Sequence, residues 1–207
     1  MTFTDDSADE PARASGTRPV VPGVVLLGRL TDAGAGEVWS GWFERIEADV
    51  TVRHIRLPAD PLRWEAMTAA ATRLVELRHP HLTTVLDVIH TADGLAVVAR
   101  PVDRAVSLAR LLGVRGRLSP GEVVTIGLPM AQALAAAHEA GLVHGALTAE
   151  DILLEPNGRP VLAGVGLADP SAPEVSPADD VRDLAELLLE AMLDATGPGA
   201  AAVAVAV

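Results

Sequence analysis

The stretch His144–Leu154 reads HGALTAEDILL and decides how this chain of 207 residues is interpreted. A polar loop, Gly145–Asp151, leads directly into the apolar run Ile152–Leu154, which indicates a loop that ends in a short buried strand. The apolar run Val161–Ala163 predicts a second strand that pairs with the first. The loop position Ala146 carries a side chain that can neither donate nor accept a hydrogen bond.

The residues before this stretch predict a small region rich in β-strands. Short apolar runs separated by Gly and Asp are typical of strands, and Asp60 followed by Pro61 is a strong signal for the start of one helix, which we expect to reach about Leu77. The predicted strands are Val24–Leu30, Gly36–Trp42, Val50–Ile55, Thr84–His90 and Leu95–Pro101.

After Pro101 the pattern becomes mainly helical. We expect a short helix over residues 107–112 that stops at Gly113. Ser119 and Glu122 form a capping box for a long helix that ends near Gly141, in which Pro129 should kink or loosen one turn. The segment 176–179 repeats this capping pattern and should start a last helix, which reaches about residue 193 and is closed by the Gly-Pro-Gly sequence at 197–199.

Composition excludes several classes of function. The net charge of -12 argues against nucleic acid and against an anionic membrane surface as partners. The chain has neither Lys nor Cys, so it lacks disulfides and a thiolate nucleophile. We see no signal peptide and no apolar run long enough to cross a membrane. A cytoplasmic location is therefore expected, with tethering to a membrane through a portion outside this sequence as the alternative.

The stretch His144–Leu154 resembles the catalytic loop of bacterial Ser/Thr protein kinases, His-Arg-Asp-Leu-Lys-Pro-x-Asn-Ile-Leu. In that family the Asp positions the substrate hydroxyl and the Asn holds a magnesium ion. The matching positions here are Ala146 for the Asp, Thr148 for the Lys and Asp151 for the Asn. The resemblance runs from about Val24 to Leu193 and implies a small β-rich lobe followed by a helical lobe.

The nucleotide-binding positions of the family are altered as well. Of the glycine-rich loop only Gly36 keeps its place, and Arg53 stands where the phosphate-binding Lys belongs. The Glu that pairs with this Lys is replaced by Ala70. The competing interpretations are an ordinary strand turn for the loop and a solvated or locally paired role for Arg53. As vestigial cofactor-binding residues, the resemblance implies Gly34, Gly36, Val38, Arg53 and Leu153.

The Asp-Phe-Gly motif of the family falls on residues 164–166, where Gly164 replaces the metal-binding Asp. Asp151 is left as a single vestigial metal ligand, and a structural role in capping or bonding the loop is its competing interpretation. Asp180 matches the Asp that braces the catalytic loop, and His144 and Leu74 match packing residues of an internal hydrophobic column. The segment 172–174 resembles the Ala-Pro-Glu that ends an activation segment.

These observations predict an α+β, protein-kinase-like bilobal fold. The predicted parts are a disordered acidic tail (1–20) with Thr2, Thr4, Ser7, Ser15 and Thr17 as candidate phosphate acceptors, an N-lobe (21–101), a truncated C-lobe (102–195) and a flexible tail (196–207). The implied function is that of a pseudokinase, a regulatory or scaffolding module without a cofactor that binds other proteins, among them true kinases or phospho-dependent binding domains. The alternatives are a weak or atypical Ser/Thr kinase, a switch that binds ATP weakly, and a fragment without stable function.

Overall fold

A computed structural model of the chain describes residues 18–31, 36–56, 60–167 and 175–193. Gly34, the segment 172–174 and the candidate phosphate acceptors of the N-terminal tail lie outside these residues, as does the predicted tail 196–207. The described residues confirm the expected α+β class, with a strand-rich part followed by a mainly helical part. None of the described helices is both long enough and apolar enough to cross a lipid bilayer.

The first part is a five-stranded antiparallel sheet with one helix. The strands are β1 (Val24–Thr31), β2 (Glu37–Phe43), β3 (Ala48–Arg56), β4 (Val85–His90) and β5 (Gly94–Ala99), and their order in the sheet is β1-β2-β3-β5-β4. Helix α1 (Pro61–Glu76) lies between β3 and β4 in sequence and packs against β4. The Asp60 carboxylate accepts a hydrogen bond from the Leu62 N–H at 3.0 Å, which confirms the predicted N-cap.

The second part contains three helices and a small sheet. The helices are α2 (Leu108–Arg115), α3 (Pro120–Glu139) and α4 (Pro177–Met192). Strands β7 (Ile152–Leu154) and β8 (Pro160–Leu162) pair as predicted, and β6 (Val106–Ser107) joins them in the order β6-β7-β8. The sequence did not indicate β6, because two residues are too few to show an alternating pattern.

One helix prediction needed correction. Helix α2 does not stop at Gly113 but runs on to Arg115, because the left-handed conformation that ends it belongs to Gly116, with φ of +79°. Helix α3 contains Pro129 and ends at Glu139, close to the predicted end near Gly141, and the kink expected at Pro129 stays a prediction. The Ser119 capping box is confirmed, with the Glu122 carboxylate accepting from the Ser119 N–H and hydroxyl, both at 2.8 Å.

The core forms two clusters on opposite faces of the sheet. Leu95 and Val97 of β5 join a large cluster that also includes α1, α3 and α4, while Ala96 and Val98 join a smaller one on β1–β3. This alternation follows from the period of two in a β-strand. The large cluster ties the sheet to the helical part and fixes the position of the cleft between them.

Candidate functional site

A cleft with a cavity volume of about 700 Å³ lies between the sheet and the loop that contains residues 144–151. Its walls are mainly apolar and include Val38, Thr51, Val97, Leu153, Leu162 and Val165. Arg53, Asp151 and Gly164 lie together at one part of this wall. The structure therefore brings Val38, Arg53, Asp151 and Leu153, all predicted from sequence, into one cavity.

Arg53 lies on β3, the middle strand of the sheet, where it faces the loop across the cleft. Its Nη2 atom is 3.6 Å from the Oδ1 atom of Asp151, and the two side chains are only 13% and 7% exposed. Of the two alternatives to phosphate binding, the solvated one is wrong, and Arg53 is instead paired with a neighbouring side chain. The guanidinium neutralises the carboxylate that the family resemblance offered as a metal ligand.

The second oxygen of Asp151 is bonded within the loop. Its Oδ2 atom accepts hydrogen bonds from the Thr148 N–H at 3.1 Å and from the Thr148 hydroxyl at 2.8 Å. The backbone carbonyl of Asp151 accepts from the Ala163 N–H at 2.9 Å, which holds the loop against the chain that follows β8. Asp151 thus bonds the loop, which was the alternative to a role as metal ligand. The role as metal ligand stays a prediction.

Gly164 lies directly against this ion pair. Its φ is +84°, a left-handed conformation that side chains other than Gly adopt rarely, and a Cβ there would be 3.2 Å from both terminal nitrogens of Arg53 and from Oδ1 of Asp151. The absence of a side chain at this position leaves room for the guanidinium to reach the carboxylate. Ala146, the remaining altered position of the loop, is exposed.

The close packing of β2 against β3 explains why a glycine is needed at position 36. A Cβ at this position would lie 2.2 Å from the backbone oxygen of His54, so only Gly allows the start of β2 to approach β3 this closely. The Gly at this place is thus explained without a bound phosphate. Ala70, at the position of the family's helix Glu, is half-buried against the main core.

Asp180, on α4, holds the start of the loop in place through hydrogen bonds. Its side chain is fully buried, and its two oxygens accept hydrogen bonds at 2.8 Å from the backbone N–H groups of His144 and Gly145. The ring of His138, on α3, adds a third contact through Nε2 at 2.7 Å. The predicted bracing role of Asp180 is confirmed, whereas the part played by His138 was missed.

His144 is buried, as its predicted packing role requires. Its Nε2 atom donates to the Ala163 carbonyl at 2.9 Å, so this nitrogen carries a proton, and Nδ1 has no partner among the described residues. Leu74, on α1, is buried in the main core, 3.4 Å from the position that a Cβ on Gly166 would occupy. Leu74 therefore joins α1 to the segment that contains Gly166.

His79 and His81 act as loop residues. The Nδ1 atom of His79 accepts from the His81 N–H at 3.2 Å, and Nδ1 of His81 donates to the Pro160 carbonyl at 2.7 Å. Burial, and then the neighbouring His81 ring, hold the pKa of His79 below its usual range. In the part of the chain that the structure describes, no three His, Asp or Glu side chains come together as a metal site would require.

Known proteins are similar to this chain over most of the residues described above. A protein-family model described as "Protein tyrosine and serine/threonine kinase" matches residues 24–180. The chain is 34% identical over 135 residues to the serine/threonine-protein kinase PkaB of Streptomyces coelicolor, an alignment that covers 64% of this chain and 31% of PkaB.

Two mycobacterial proteins are also similar to part of this chain. The chain is 38% identical over 90 residues to the serine/threonine-protein kinase PknK of Mycobacterium tuberculosis, covering 44% of this chain and 8% of PknK. It is 28% identical over 158 residues to the serine/threonine-protein kinase PknA of the same species, covering 70% of this chain and 37% of PknA. The chain thus spans about a third or less of the length of these relatives.

Proposed function

The chain belongs to the protein tyrosine and serine/threonine kinase family, within its bacterial Ser/Thr branch, and we propose that it is a catalytically inactive member that serves in bacterial signalling as a regulatory or scaffolding module. In this role it binds other proteins, which include active kinases or domains that recognise phosphorylated residues. Its acidic net charge of -12 makes nucleic acid a poor partner.

The observation that carries this proposal is the ion pair between Arg53 and Asp151 across Gly164. Phosphoryl transfer depends on metal ions that bridge the phosphates and on a residue that orients the nucleophile. Here an internal guanidinium occupies one carboxylate, and Gly164 supplies no second one. A single carboxylate is a poor anchor for Mg²⁺, and the methyl group of Ala146 cannot act as a base.

The retained framework supports a binding role. Asp180 still holds the loop at His144 and Gly145, and the main core still joins both parts of the molecule. These interactions maintain a folded surface without contributing a reactive group. A domain that keeps this framework while it lacks the groups for transfer is suited to recognition of other proteins. The absence of Cys is in keeping with a cytoplasmic site of action.

A second candidate function is a switch that binds ATP, or a weak kinase. The observation that favours it is the open cleft, whose volume of about 700 Å³ lies within the usual range for small-molecule sites. Val38 and Leu153 would contact the base, and Arg53 would have to leave Asp151 to reach a phosphate. Binding on these terms would need no metal ion.

Two measurements test the proposal. Phosphate transfer from labelled ATP to the domain itself and to a general protein substrate should remain at background with either Mg²⁺ or Mn²⁺. A thermal-shift titration with ATP then separates the two candidates, because a ligand that binds only the native state must raise its apparent stability. A cooperative melt would also exclude a fragment without stable structure.

A further inference from the structure

The cleft between the sheet and the loop has an inner and an outer part, which differ in burial and in charge. The outer part is formed by exposed residues, among them Arg100, Pro101 and Arg110. The inner part is formed by buried apolar side chains of the main core, which include Leu74, Leu82, Val85, Leu162, Val165 and Leu167. The cavity of about 700 Å³ therefore leads from the surface into the core.

Ala99 lies between the two parts of this cavity. It is the last residue of β5, and its cross-strand partners are Thr51 on β3 and Val85 on β4. The next residue, Arg100, belongs to the outer part, and all four residues line the cavity. Because Ala99 carries only a methyl group, it leaves space here that a larger side chain would fill.

The inner part suits the apolar portion of a ligand. Protein interiors are close-packed, and voids larger than a water molecule are few. A buried water molecule needs two to four polar partners, whereas the core side chains on this wall offer none. Transfer of an apolar group from water into such a space is favourable.

The outer part carries an excess of positive charge. Among the described residues, the charged side chains that line the cavity are Arg53, Arg100, Arg110, Glu150 and Asp151. Arg53 and Asp151 neutralise each other. Glu150 lies near Arg110, since the Ala109 N–H donates to the Ala149 carbonyl at 3.0 Å. Two guanidinium groups and one carboxylate are thus left, which gives one net positive charge.

Arg100 and Arg110 are available to a ligand. Both side chains are exposed, and neither guanidinium has an ion pair or a side-chain hydrogen bond within the part of the chain that the structure describes. A guanidinium binds carboxylates and phosphates through paired hydrogen bonds. At the loop, by contrast, Arg53 is already bound to Asp151. An anionic group therefore finds its donors in the outer part.

We propose that the cleft binds a small amphipathic molecule with an apolar body and one anionic end group, either a carboxylate or a phosphate ester. The apolar body occupies the inner part beyond Ala99, and Arg100 and Arg110 bind the end group. No metal ion is required. This inference goes beyond the proposed role in protein binding, and it does not depend on whether the chain transfers phosphate.

The charge of the whole chain makes this proposal easy to test. The net charge of -12 attracts cationic ligands to the molecule in general. An end group that bound through this general field would have to be positive. A preference for a negative end group would therefore come from the two guanidinium groups beside the cleft.

The test compares four ligands that share one flexible apolar chain: dodecanoate, dodecyl phosphate, dodecanol and dodecylammonium. Each is titrated into the whole chain by calorimetry, below the concentration at which it forms micelles. The variant Arg100→Ala/Arg110→Ala removes the guanidinium groups. Its matched control, Arg104→Ala/Arg117→Ala, changes the net charge equally at exposed arginines that do not line the cavity. Ala99→Leu fills the space between the two parts.

We expect dodecanoate or dodecyl phosphate to bind at least about tenfold more tightly than dodecanol, the change that 1.4 kcal/mol produces. The tighter of the two anions identifies the end group. Arg100→Ala/Arg110→Ala should remove this preference and leave the affinity for dodecanol unchanged, whereas the control variant should keep the preference. Ala99→Leu should weaken binding of all four ligands, and melting curves show whether each variant is folded.

Several results would overturn the proposal. Dodecylammonium could bind as tightly as the anions, or both double variants could lose the preference equally, which would show that local guanidinium groups do not select the ligand. Undiminished binding by folded Ala99→Leu would place the ligand outside the cleft. Tighter metal-free binding of ATP would assign the cleft to the second candidate function. The arginine variants change exposed residues, so they decide the matter even if Ala99→Leu does not fold.

The inactive-kinase proposal is tested separately. Phosphate transfer by the wild-type chain would refute that proposal and leave the ligand preference of the cleft standing. Loss of the ligand preference would leave the inactive-kinase proposal standing, since that proposal depends on the phosphate-transfer assay.

Discussion

The Nη2 atom of Arg53 lies 3.6 Å from the Oδ1 atom of Asp151, and this ion pair joins the central strand of the sheet to the loop across the cleft. Oδ2 of Asp151 is held by Thr148, so both oxygens of the carboxylate have protein partners. The pair links the two parts of the molecule through side chains that are almost completely buried. It therefore bears on stability, on metal binding and on the chemistry of the cleft.

Arg53→Ala should lower the free energy of unfolding by about 1–3 kcal/mol. Removing one member of a buried pair leaves a charge without its partner, and the remaining hydrogen bonds from Thr148 keep the loss below that of an unsupported carboxylate. Urea unfolding measures the change. Arg100→Ala, in the same cavity wall, is the control and should stay within about 0.5 kcal/mol. Equal losses for the two variants would show that the pair contributes nothing.

Mg²⁺ and Mn²⁺ should not stabilise the wild-type chain beyond the effect of monovalent salt at equal ionic strength, because Arg53 already neutralises Asp151. The variant Arg53→Ala/Gly164→Asp should gain a metal response of roughly 1.4 kcal/mol at ten times its Kd, since two carboxylates then share the site. Thermal melts with and without the metals measure this. A metal response in the wild type that disappears in Asp151→Asn would refute the expectation.

Asp180→Ala should destabilise the chain by about 3 kcal/mol or more, because two buried backbone N–H groups and the His138 ring would lose their acceptor. Asp180→Asn should cost less, since one oxygen remains as an acceptor. Hydrogen exchange at the His144 and Gly145 amides should accelerate in both variants. Asp183→Ala, a partly exposed carboxylate on the same helix, is the control and should leave exchange at these amides unchanged.

Acid should weaken the caps of α3 and α4. Hydrogen bonds from the Ser119 backbone and hydroxyl, and then from Arg115, lower the pKa of Glu122 to about 2. Bonds from the Ser176 hydroxyl and backbone, and then from Arg182, lower the pKa of Asp179 to about 2. Both pKa values lie below those of the same groups in the unfolded chain. The two carboxylates therefore contribute their full stabilisation at neutral pH, and this contribution is lost as the pH falls from about 5 to about 2.

The variant Glu122→Gln/Asp179→Asn should therefore have a smaller fall in melting temperature over this pH range than the wild type. Its melting temperature at pH 7 should be lower, and the two curves should converge near pH 2. Glu139→Gln, at the exposed end of α3, is the control. Parallel pH curves for the wild type and the double variant would mean that these carboxylates do not titrate with folding.

Much of the fold could be predicted because its signals are local. The caps at Asp60, Ser119 and Ser176 depend on residues two or three positions apart, and short apolar runs separated by Gly and Asp identified all five strands of the large sheet. Helix α2 was misjudged at Gly113 because sequence does not tell which of two glycines, 113 or 116, adopts the left-handed conformation. Strand β6 was missed because it contains only two residues.

The candidate site was predictable only in part. Family spacing led to Arg53, Asp151, Gly164 and Asp180 one by one, but nothing in the sequence joins Arg53 to Asp151. That contact depends on the sheet and the loop facing each other across the cleft. His138 gave no signal either, because its partner Asp180 lies 42 residues away and the pair forms only when α3 packs on α4.

The most direct test of the account is phosphate transfer by the purified chain and by Asp151→Ala, with labelled ATP and either Mg²⁺ or Mn²⁺. Because Arg53 neutralises the carboxylate of Asp151 and Ala146 provides no base, we predict that both proteins give only background incorporation at every metal concentration. Incorporation by the wild type that Asp151→Ala abolishes would contradict the account. It would mean that Asp151 still holds a metal ion and that the chain is an active kinase.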